Sequence, residues 1–481
     1  MITLQQKKQH LLWRAGFGPS TDDMTGLDKK TLEEVYASLV KSSSSKPNEI
    51  NVAQRLFQFV GTGAGQTDMA QMRQKMMEPK SRRQFLSLSR QVLKNLNHAW
   101  MDQMVSSPGQ LREKMSLFWH GHFASRDLNG IFQQKLLQDI RSNALGSFRD
   151  LLFEVSKSSS MLSFLNNVQN RKMHPNENFA REVMELFTMG RGNYTEQDIK
   201  EAARAFTGWS FQPNGDFAFR RDQHDTGSKT ILGKKGNFTG EDVLDILLDQ
   251  QQTANYITEK IYRFFVNEQP DQAKISWLAG RFYKNKYNIQ KLLDDIFTSD
   301  WFYSEKNIGS NIKSPVQLLV GIRRLVPMDL KNTGAQFLVQ SALGQILFMP
   351  PNVAGWAGGK NWIDGSTLML RLKLPQLIMN NEMIVVNTKS DDDINMGMAS
   401  NAQANADELS MNAAVDWARY VKQFEKMPQE ILVQFLRAGI HQALGTEDSA
   451  SIEKVADKSN REHYIRSVTV ALMSTPEYQM C

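Results

Sequence analysis

The sequence predicts a mainly α protein, a single large helical domain with one small β-hairpin and a Gly/Trp-rich loop packed on it. Three observations carry this. Apolar residues recur near every 3.6 positions along most of the chain. Strand-like runs are confined to 217–220 and 229–232. Residues 350–365 combine two prolines, several glycines and two tryptophans, a composition that supports no regular element.

Taken in order, the first long helix spans 86–105, with Leu86, Leu88, Val92, Leu93, Leu96, Trp100 and Met104 on one stripe. A second run, 111–119, follows with Leu111, Met115, Phe118 and Trp119, and Gly121 is placed to end it in the left-handed conformation. Thr195 with Asp198 three positions on opens a helix over 196–208 that stops at Gly208, and Thr239 with Asp242 opens another over 241–249; both are helix-start signals. Further helices are predicted at 253–266, 273–284, 288–297, 314–325 and 334–346. The two strand-like runs flank 222–228 and are expected to pair as one hairpin. Residues 387–411 lack an apolar stripe and carry Asp391-Asp392-Asp393, so they read as a disordered insertion. Beyond it, helices at 412–423, 428–443, 450–457 and 461–474 are expected to pack on the main body.

Composition excludes several classes. The net charge of +6 over 481 residues is mild, and the basic residues do not cluster with aromatics, so nucleic acid is not an expected partner. A single cysteine, Cys481, rules out intramolecular disulfides and cysteine-based zinc sites. No apolar segment reads as an integral membrane span or a secretory signal, so cytoplasmic residence is the expectation. Walker A, Gly-x-Ser-x-Gly and His-Glu-x-x-His patterns are absent, which argues against P-loop ATPases, standard serine hydrolases and zincins.

Four segments hold residue types capable of chemistry. Trp119-His120-Gly121-His122-Phe123 contains two of the eight histidines. On a continuous helix residues two apart point about 200° apart, but a helix stop at His120 would let both imidazoles converge as metal ligands. The plainer reading is a helix end capped by polar side chains. In 174–190, Glu182 borders an apolar helix face and Glu185 lies further round. Together they could serve as an acid–base or ion-binding pair, or Glu185 could be solvated while Glu177 and Arg181 form an i,i+4 pair. His224-Asp225 pairs an imidazole with a carboxylate, although Asp225-Thr226-Gly227 is also a good turn. Finally, Asn352, Trp356 and Trp362 make the 350–365 loop a candidate ligand loop; buried tryptophans pinning the loop to the core would explain it equally.

These pieces, with 10–19, 117–123, 176–190, 194–198, 203–209, Ser314-Pro315, 351–362 and 474–479, resemble in their order the bacterial domain-of-unknown-function 1800 family. The likeness implies one family domain over 1–481 in place of the three that length alone suggests. It raises the expectation of a shared site without supplying a reaction. Many relatives have Asn in place of Gly121 and His in place of Phe187. Many also carry an export signal and sit beside members of the domain-of-unknown-function 1501 family, which resembles exported sulfatase- and phosphatase-like proteins.

The sharpest expectation joins these readings. His120, His122 and His224 would hold zinc or non-haem iron together with Glu182, with Arg181 or Asp225 supporting them. Water on the metal would attack an ester or glycan-linked substituent, making the protein a metal-dependent hydrolase. The alternative is a non-catalytic helical protein that supports a DUF1501-type partner and is exported by co-transport with it.

Overall fold

The structure, a computed structural model, describes residues 2–61, 75, 77–384, 410–440 and 449–481. The expected insertion at 387–411 lies outside the described residues except for Ser410 and Met411.

Helices dominate. The N-terminal part holds α1 (Leu4–Ala15), α2 (Thr21–Gly26), α3 (Leu32–Ser44), α4 (Gln54–Val60), α5 (Pro79–Ser106), α6 (Gln110–His122), α7 (Gly130–Asn143), α8 (Phe148–Lys157), α9 (Ser159–Phe164) and α10 (Asn178–Glu182). Without a break α10 widens into a π-helix over Val183–Met189, and α11 (Glu196–Ala205) follows. The central part holds α12 (Gly240–Leu248), α13 (Gln251–Phe265), α14 (Gln272–Lys284), α15 (Ile289–Phe297), α16 (Pro315–Leu325), α17 (Thr333–Leu343) and α18 (Gly365–Met379). Among the described residues α19 (Trp417–Lys422), α20 (Gln429–Ile440), α21 (Ser449–Val455) and α22 (Arg461–Met473) complete the chain. None of the described helices is long and apolar enough to cross a membrane.

The caps read from the sequence are present, and the structure shows them to be reciprocal: Thr195 with Asp198 starts α11 and Thr239 with Asp242 starts α12. The C-terminal helices pack back on the body, α22 against α18 and α20 against α1.

The strands correct the expected hairpin. The run at 217 pairs with residues before it, β1 (Trp209–Phe211) with β2 (Phe217–Phe219). The run at 229 pairs with residues after it, β3 (Lys229–Ile231) with β4 (Lys234–Gly236). A third antiparallel pair joins β5 (Met328–Leu330) to β6 (Ala413–Val415), where a helix start is expected from sequence. Each strand is three residues long, too short for alternation to specify a partner.

Two large apolar cores meet along α1 and α6. Leu11, Leu12 and Ala15 of α1 join a core built with α8 to α15, while Trp13 faces a second core built with α5, α16 and the C-terminal helices. Helix α6 divides likewise: Leu111, Met115, Phe118 and Trp119 belong to the first core and Leu117 to the second. The candidate site lies along this seam, a common location for ligand cavities.

Candidate ligand pocket

Helix α6 continues through Gly121 and ends at His122. The expected stop at His120 is therefore corrected, and the continuous helix sends the two imidazoles apart. His120 packs among Trp100, Phe348 and Trp356, and its Nε2 accepts the Phe348 N–H at 3.1 Å. Burial pulls its pKa down to about 3, so the ring is neutral. His122 packs between Phe118 and Phe187. Its Nε2 lies 3.2 Å from the Phe187 carbonyl and must donate to it, which fixes the lone pair on Nδ1. Lys260 Nζ, 3.3 Å away, donates to that lone pair. Burial first, and the Lys260 charge second, hold His122 well below the ordinary histidine range.

The carbonyls of Leu186 and Phe187 are available because they end the π-helix, where no later N–H of the helix reaches them. Lys260 takes the Leu186 carbonyl at 3.4 Å. Inside the widened turn, Thr188 Oγ donates to the Val183 carbonyl at 2.7 Å. Helix α13 brings Lys260 to this point because Ile257 and Ile261 anchor it in the core.

The loop over 350–365 closes the seam. Gly355, at φ +81°, lies so close to α6 that a Cβ there would sit 2.4 Å from the Gly121 carbonyl oxygen. Trp362 is buried and Trp356 half-buried, and both line a cavity of about 460 Å³ together with Gly121, His122 and Lys260. Asn352 is exposed; its Oδ1 accepts the Ala354 N–H at 2.9 Å, which builds the turn leading into the loop. The loop's one regular feature is a 3-10 turn over Gly359–Trp362.

The same cavity holds cations that sequence reasoning missed. Arg14 is buried; its Nη2 donates to the Asn307 carbonyl and to Ser310, while Nε and Nη1 have no partner among the described residues. Lys114 is buried with Nζ on the Trp13 carbonyl at 2.9 Å, and burial pulls its pKa down to about 7. Lys260, half-buried, is pulled to about 8 for the same reason. Among the described residues none of the three forms an ion pair. Glu268 is the carboxylate on the wall, against Gly359. Cys481 contributes the opposing charge that partly offsets the loss of solvent at Arg14 and Lys114. Apolar surface comes from Leu117, Phe118 and Phe264.

The remaining expected site residues serve other contacts. Arg181 is engaged by two carboxylates, Glu177 at 3.3 Å and Glu196 at 2.7 Å. Glu182 is half-buried, and desolvation, with Glu185 nearby, raises its pKa. Glu185 is not simply solvated: its side chain is 13% exposed and accepts from Arg191 and Tyr194. His224 donates from Nδ1 to the Thr207 carbonyl at 3.0 Å. Asp225 pairs with Arg204 at 2.7 Å and accepts the Gly227 N–H at 2.8 Å, forming the turn that sequence favoured. Lys229 Nζ closes the turn on the carbonyls of Asp225 and Gly227. None of Glu182, His120 and His224 lines the cavity that His122 opens onto. Among the described residues no three His, Cys, Asp or Glu side chains are grouped to hold a metal.

What fold and site define is a helical protein with a cation-lined cavity at the junction of two cores. The chain belongs to the DUF1800 family, whose model, described as a protein of unknown function, matches residues 10–480. No curated protein and no solved structure matches it.

Proposed function

We propose that the protein binds a small organic anion with an apolar body in the cavity beside His122. One observation carries this reading: Arg14, Lys114 and Lys260 line one cavity and, among the described residues, form no ion pair, Cys481 offsetting only part of their charge, next to the rings of Phe118, Trp356 and Trp362. Burying unpaired cations is expensive, and an anion in the cavity would offset that cost while its apolar part covers the rings. Carboxylate, sulfate and phosphate groups all meet the requirement; planar apolar bodies suit the tryptophans.

Titration calorimetry with an aryl carboxylate, sulfate and phosphate, against the neutral parent arene, tests the reading. At least one anion is expected to bind, and Lys260→Met to weaken it by about tenfold with the fold intact. Equal binding of the neutral arene, or unchanged affinity in the variant, would refute it.

Metal-dependent hydrolysis ranks lower. The lone pairs of His120 and His122 are occupied by the Phe348 N–H and by Lys260, so both would have to be released before either ring could ligate zinc or iron. Assembly with a sulfatase- or phosphatase-like DUF1501-type partner would call for an apolar docking face, whereas the cavity favours a small charged ligand.

A further inference from the structure

We propose that Lys260 captures the carbonyl of a small oxo acid as an imine, so that the ligand of this cavity is an anion carrying a ketone or aldehyde group. The inference rests on the anion-binding reading and specifies its ligand.

A lysine that attacks carbonyls must be reachable, partly desolvated and free of a carboxylate that would hold its proton. Lys260 meets all three conditions. Its side chain is half-buried and lines the cavity. Its Nζ contacts are the His122 Nδ1, the Leu186 carbonyl and, at 4.8 Å, the face of the Tyr256 ring. The nearest carboxylate on its own helix, Glu259, is taken up by Arg263 at 2.8 Å. Burial pulls the ammonium down to about 8, so an appreciable fraction is the free amine near neutrality. The other cavity lysine fails the first condition, because Lys114 is 2% exposed with its Nζ directed at the Trp13 carbonyl.

The chemistry balances without a co-reactant. The Lys260 amine lone pair attacks the carbonyl carbon, and the C–O π pair moves onto oxygen. One amine proton passes through the His122 Nδ1, 3.3 Å away, to that oxygen. The second N–H proton then accompanies the departing hydroxyl as water, the C–O bond breaks, and C=N forms. His122 is suited to the transfer because the Phe187 carbonyl holds its Nε2–H and leaves Nδ1 facing the amine. Arg14, in the same cavity with two unpartnered nitrogens, is the counter-ion for the acid group.

Reductive trapping tests the proposal. The full chain is incubated with phenylpyruvate and cyanoborohydride, and the modified lysine is located by peptide mass mapping. Expected is one adduct, on Lys260, formed at least about tenfold faster than on any other lysine. It should be suppressed by phenylpropanoate, lost in Lys260→Met and slowed in His122→Ala. Labelling spread over many lysines without preference would overturn the proposal. Phenylpropanoate binding that Lys260→Met weakens, with no adduct on Lys260, would overturn the imine alone and leave anion binding standing. If Lys260 reacts equally fast with phenylacetone, the neutral ketone with a methyl in place of the carboxylate, the selectivity for an acid fails and the anion-binding reading with it.

Discussion

Gly121 and Gly355 touch across the seam, and substituting each with alanine should move stability in opposite directions. Gly121 lies inside α6, and a Cβ there meets no atom within 4 Å. Replacing a helix-interior glycine by alanine removes backbone freedom from the unfolded chain, so Gly121→Ala should stabilise by roughly 0.5–1 kcal/mol. Gly355 sits at φ +81°, where a Cβ would stand 2.4 Å from the Gly121 carbonyl oxygen. The left-handed backbone alone costs an L-residue about 1–2 kcal/mol. Relieving the clash would also pull the loop off α6, so Gly355→Ala should destabilise by more than about 2 kcal/mol. Scanning calorimetry of the two variants reads both signs. The decisive result is the first one. Had α6 ended at His120 with Gly121 as a left-handed cap, Gly121→Ala would lower stability by about 1 kcal/mol or more. That outcome would refute the continuous helix, and it would return His120 and His122 to a common side as a ligand pair.

Two further outcomes follow from buried charge. Glu113→Ala should cost about 3–5 kcal/mol, read as the shift in denaturation midpoint. It strands Arg141, whose guanidinium reaches Glu113 at 2.6 Å with both side chains 1% exposed, and it removes the acceptor of the Trp100 indole. The unliganded protein should gain stability as pH rises from about 7 to about 9, below the range in which the unfolded chain's tyrosines, held protonated by burial in the fold, begin to ionise. Lys114 and Lys260 titrate at about 7 and about 8 when folded, against 10.5 as their ordinary value, so in that window the unfolded chain binds more protons. The penalty is full below the folded values and gone above 10.5; Lys114→Met should flatten the rise, and a fall in stability over the window would contradict the assignment.

The helices were legible because their signals are local. A Thr with a carboxylate three residues on caps a helix wherever the chain puts it, as at Thr195 and Thr239. Strand pairing was not, since three-residue strands leave the partner to tertiary contacts: the runs at 217 and 229 each found a nearer one. Gly121 misled for a related reason. Glycine ends many helices, but here Phe123, His122 and the close-packed loop carry α6 one residue past it. Part of the candidate site could be read, since His122, Trp356 and Trp362 do line one cavity. The cations could not, because a charged residue in an amphipathic helix is normally taken as its solvated face. A signal existed in α6 itself: Leu117 and Phe118, three and four residues on, flank Lys114 on the helix surface, so it had little solvent left to face.

Helix α6 also separates structural from functional charge. Glu113 and Lys114 are adjacent and both buried, yet Glu113 is matched by an arginine, whereas Lys114 is offered a carbonyl and a cavity. Cys481 supplies part of the opposing charge at Lys114, and the contrast argues that the rest comes from outside the chain. If so, ligand and proton are linked. An anion bound near Lys114 and Lys260 favours their charged forms, which raises the folded pKa values toward 10.5 and removes the difference from the unfolded state. The increase of stability between about pH 7 and 9 should therefore flatten when a saturating aryl carboxylate is present, and its affinity should fall as pH rises through the same range. Thermal midpoints measured across that range, with and without the carboxylate, give both quantities. Parallel curves with a constant offset would mean that the anion binds away from these lysines, and the cavity would then have to be explained without it.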